Sequence, residues 1–95
     1  MKTQYQIECN IRITDGYVEL ARFQISDSKE DALELFSQLK GALIAEKPTP
    51  AIRMHLVDTG QPLETVLAAR YCTLCEAKDN FEIITKETFR AINIG

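Results

Sequence analysis

Ala21-Arg22-Phe23-Gln24-Ile25-Ser26-Asp27-Ser28-Lys29-Glu30-Asp31-Ala32-Leu33 changes its hydrophobic period midway. Up to Ile25, apolar and polar residues alternate, which is the pattern of a strand with one buried face. Ser26-Asp27-Ser28 then offers oxygens to cap a helix, and Ser28 with Asp31 three residues on resembles a capping box. Beyond it Ala32, Leu33, Leu35, Phe36, Leu39, Ala42 and Leu43 keep helical spacing, with Glu30, Asp31, Glu34, Gln38 and Lys40 mainly outside that stripe. The stretch is a strand feeding a capped amphipathic helix.

Its first three residues return as Ala69-Arg70-Tyr71, 70 − 22 = 48 positions on. The same offset pairs Asp31 with Asp79, Phe36 with Ile84 and Ile44 with Ile92. Each half reads as two strands and a helix, about residues 3–47 and 51–94. Upstream, Tyr5 to Ile13 alternates Tyr, Ile, Cys, Ile, Ile with Gln, Glu, Asn, Arg, and Asp15-Gly16 marks a hairpin. Pro48 and Pro50 end the first half. Ile52, Met54 and Leu56 alternate next, Asp58 to Pro62 makes a turn, and a strand from about Glu64 to Cys72 places Leu67, Ala69 and Tyr71 inward. Thr73 and Glu76 form a second capping box. Phe81 to Thr85 also suits a strand, but the apolar spacing continues through Ile92, so one helix is expected.

The expected fold is therefore α+β: a two-layer sandwich with a ββαββα pseudo-repeat. Both helices are expected on one face of a four-stranded antiparallel sheet. Ninety-five residues suit one domain over 1–95. The expected core is Ile7, Ile11, Phe23, Leu33, Phe36, Leu39, Met54, Leu56, Leu67, Tyr71, Phe81 and Ile84.

This register sends Arg12, Arg22, Arg53 and Arg70, with His55, to the sheet face away from the helices. Arginine suits bidentate contacts with carboxylate and phosphate. Val18, Leu20 and Val66 fall on the same face, and apolar residues amid arginine are the composition of an interface. Solvation and cross-strand ion pairing, with Glu8 or Glu64 as partners, account for the same arginines without any function. The leading reading is a small non-catalytic cytoplasmic module that binds a protein partner or a second copy of itself through this face. A regulatory domain holding a small carboxylate or phosphate on the same arginines is the first alternative. A thiol-redox protein using Cys72 and Cys75 is the second, since a helix N-terminus lowers a thiol pKa.

Other classes find little support. The net charge of −3 and the lack of an aromatic row argue against nucleic acid. No apolar run suggests a membrane span or a signal peptide. The odd count of three Cys fits a reducing cytoplasm. The single His, and serines confined to a cap and a helix, suggest no catalytic residues. No cofactor or metal is expected, because Cys9 and His55 point to opposite faces.

Overall fold

The computed structural model describes residues 4–45, 50–60 and 63–91. Pro48, Gln61, Pro62 and Ile92 of the expected turns and helix lie outside them. Strands β1 (Tyr5–Ile13) and β2 (Gly16–Ser26) are followed by α1 (Lys29–Ser37); β3 (Ile52–Asp58) and β4 (Thr65–Cys72) are followed by α2 (Leu74–Ala91). The strands form one open antiparallel sheet in the order β2-β1-β3-β4, a small two-layer α+β fold. The two hairpins thus meet along a central β1–β3 seam.

The helix starts are made by the residues that signalled them. The Asp31 N–H donates to Ser28 Oγ at 3.3 Å. Thr73 and Glu76 close a reciprocal box, with Glu76 N–H to Thr73 Oγ1 at 3.1 Å and Thr73 N–H to Glu76 Oε1 at 2.9 Å. Phe81 to Thr85 is helical, within one long α2. At the first hairpin, Ile13 faces Gly16, so Thr14 and Asp15 form the turn and the positive φ (+136°) falls on Gly16 alone.

Opposed residues in a ladder share a face. One face, here the apolar face, bears Ile7, Cys9 and Ile11 of β1 with Ala21 and Phe23 of β2. Ile52, Met54 and Leu56 of β3 and Ala68, Arg70 and Cys72 of β4 complete it. The other, the polar face, bears Gln6, Glu8 and Asn10, Arg22, Arg53 and His55, and Ala69 and Tyr71. The core gathers on the apolar face around Ile7, Cys9, Met54, Leu56, Phe36 and Ile84. Phe23 of β2 meets Phe81 of α2 with ring centroids 5.5 Å apart.

Expectations about α1 change at two points. First, Leu33 is exposed, whereas Ala32, Leu35 and Phe36 of the same expected stripe are buried, so the buried stripe of α1 is narrower than expected and leaves Leu33 outside it. Second, α1 stops at Ser37 with Gln38 as its cap, short of Leu43. Gly41 adopts φ +128°, and Ala42 forms a bridge to Tyr71, with Ala42 N–H to Tyr71 O at 2.9 Å and the reverse bond at 2.8 Å. That bridge takes the chain out of helical geometry and leaves Leu43 and Ile44 exposed.

Candidate functional site

Arg22 anchors the polar face. Its guanidinium donates to Glu8 Oε2 at 2.6 Å, Glu19 Oε1 at 3.0 Å, Glu64 Oε2 at 3.3 Å and Gln6 Oε1 at 3.0 Å. Glu8 and Glu19 come from β1 and β2. Glu64 lies just before β4, at the opposite edge of the sheet, so this contact spans the polar face. The carboxylates raise the Arg22 pKa, Glu19 most, and the Arg22 hydrogen bond lowers that of Glu19. Asn10 Nδ2 donates to Glu8 Oε1 at 3.0 Å, which fixes that carboxylate from its other side. His55 Nδ1 lies 3.7 Å from the same oxygen. Burial lowers the His55 pKa, the nearby Arg53 charge lowers it further, and Glu8 partly opposes both.

The remaining expected residues disperse. Arg53 is on the polar face, but its guanidinium stacks 4.3 Å from the Tyr17 ring centroid. Tyr17 is held in turn by its hydroxyl, which donates to Pro50 O at 3.1 Å. Arg12 pairs with Tyr17 in the ladder and is exposed. Arg70 corrects the expectation outright: it faces Met54 on the apolar face, and its guanidinium sits 5.0 Å from the Phe36 ring centroid. A bulge in β4 explains this. The register steps from Ala68↔Leu56 to Val66↔Val57, which leaves Leu67 as an extra residue and reverses the alternation beyond it. Tyr71 and Ala69 accordingly stand on the polar face rather than inward.

Val18 shifts for the same reason. Between Ala21↔Cys9 and Glu19↔Asn10 the β2 ladder gains Leu20, so Val18 pairs with Ile11 of the apolar face. Leu20 occupies the bulge and is 57% exposed. Val66 pairs with Val57, whose other neighbour is Gln6, and so keeps the expected face. β2 and β4 are the two outer strands, however, and Val66 does not stand beside Val18 and Leu20.

The Cys72–Cys75 pair also separates. Cys75 is exposed and Cys72 is buried. Burial pushes the Cys72 thiol up to about 11, with Glu76 adding to the shift, so the helix N-terminus does not produce a thiolate there. Its thiol donates to Lys40 O at 3.3 Å. Cys9 is likewise buried and its pKa raised by desolvation. Among the described residues, no group of three or more His, Cys, Asp or Glu is arranged to hold a metal ion, and no helix is long and apolar enough to cross a membrane.

Sequence reasoning missed Asn80, which is wholly buried. Its Oδ1 accepts the Lys40 N–H at 2.7 Å and its Nδ2 donates to Lys40 O at 3.0 Å. The amide thus pairs with the Lys40 backbone as a strand residue would, and its Nδ2 also lies 3.5 Å from Met54 Sδ and 3.4 Å from Cys72 Sγ. Its position between Ala77 and Ile84 on the apolar side of α2 was the available signal, since a buried amide there demands partners.

The arrangement supplies a preorganised, charge-neutralised surface. Its arginines do not converge on one point: Arg22 is ringed by carboxylates, Arg53 lies on an aromatic ring and Arg70 is on the other face. Comparison with models of known families, with curated proteins and with solved structures finds no match to this chain.

Proposed function

We propose that the chain is a small non-catalytic interaction module that meets a protein partner, or a second copy of itself, across the polar face of the sheet. The observation that carries this reading is a set of exposed apolar residues around an ion-paired centre. Leu20 is exposed on the β2 side, and Val66 and Leu63 are exposed on the β4 side. Side chains already locked by mutual hydrogen bonds lose little further freedom on binding. Arg22, Arg53, His55 and Arg12 would then set orientation and encounter rate more than total affinity.

The reading takes both helices to cover the apolar face, leaving the polar face open. Asn80 and Phe81 of α2 and Phe36 of α1 support it, since they meet Met54, Phe23 and Arg70 of that face. It treats 1–95 as one domain of two similar halves, supported by the repeated strand-strand-helix order. The matching triplets do not keep equivalent faces, because Arg22 lies on the polar face and Arg70 on the apolar one. A cytoplasmic setting belongs to the same proposal, supported by three free cysteines.

Sedimentation over a wide concentration range, with hydrogen exchange read by mass spectrometry, tests the proposal. The expected result is association that slows exchange in β2 and β4 and is lost in the Leu20→Glu/Val66→Glu double variant at unchanged melting temperature. A wild-type chain that stays monomeric to millimolar concentration, with the same binding partners as the double variant, overturns it.

A further inference from the structure

We draw no further inference here: the strongest candidate, the groove of about 300 Å³ between β2 and α2 lined by Phe23, Ile84, Thr88 and Phe89, carries nothing because no feature of the structure shows what covers it.

Discussion

Replacing Asn80 by alanine is expected to loosen the chain well away from α2. The side chain satisfies the Lys40 N–H and C=O together, at 2.7 and 3.0 Å. In Asn80→Ala the N–H loses its partner, while the C=O keeps the Cys72 thiol at 3.3 Å. A buried donor left unpaired costs about 1–3 kcal/mol. Loss of the amide adds a void, and at tens of cal/mol per Å³ a carboxamide-sized cavity contributes about 1 kcal/mol. The expected loss is therefore about 2–4 kcal/mol, a large share of the ~5–15 kcal/mol that holds a domain of this size. Urea unfolding followed by far-ultraviolet circular dichroism measures it, since the sequence has no Trp. Amide exchange should accelerate at Lys40, and also at Ala42 and Tyr71, whose bridge begins two residues beyond the clamped one. Asn80→Asp supplies a second reading. The buried carboxylate would oppose Lys40 O, so its folded pKa should rise above the unfolded value. Its stability relative to wild type should then be greatest below the unfolded pKa and fall as pH rises through the folded one. A loss under about 0.5 kcal/mol in Asn80→Ala, with exchange at Ala42 and Tyr71 unchanged, would refute the clamp.

Further outcomes follow from the same geometry. Arg22→Ala leaves Glu8, Glu19 and Glu64 facing one another. Because Arg22 lowers the folded pKa of Glu19, its stabilising effect is present above the unfolded carboxylate pKa and disappears as pH falls through the folded one. Melting temperatures of wild type and variant should accordingly converge on acidification, and a pH-independent gap would show that Arg22 acts through packing. Iodoacetamide at neutral pH should label Cys75 alone in the native chain, with Cys9 and Cys72 reacting after unfolding; peptide mass mapping distinguishes the three. Gly41→Ala should destabilise by more than about 1 kcal/mol in denaturant titration, because φ is +128° and a Cβ would meet Tyr71 O at 2.8 Å.

The elements were legible where a local rule governs them. β1 alternates as its sequence does from Tyr5 to Cys9, and Thr73 with Glu76 caps α2 as the pair implies. The arginine surface was only partly legible, because a bulge reverses alternation without leaving a mark in composition. One extra residue at Leu67 moved Arg70 to the apolar face, where its planar charge rests on Phe36. One at Leu20 moved Val18. The end of α1 was equally hidden. Leu39 is buried as the helical stripe requires, yet it lies past the helix, held by a long-range pairing through Lys40 and Ala42 that no window of neighbouring residues contains. Val57 is buried on the polar face, so polarity of the strand pattern did not predict exposure there.

The β1–β3 seam bears on how fast the chain reaches this state. Each hairpin is a local affair, with its turn only a few residues long. The seam is not: Ile11↔Ile52 and Tyr5↔Asp58 close loops of 52 − 11 = 41 and 58 − 5 = 53 residues. The entropy of closing such loops is lost before the central ladder gives anything back. The slow step of folding should therefore respond to changes along the seam, such as at Cys9 or Met54, more than to changes at either hairpin tip. Chain length between the halves becomes a rate control: shortening the connection should quicken folding while leaving the rate of unfolding nearly untouched.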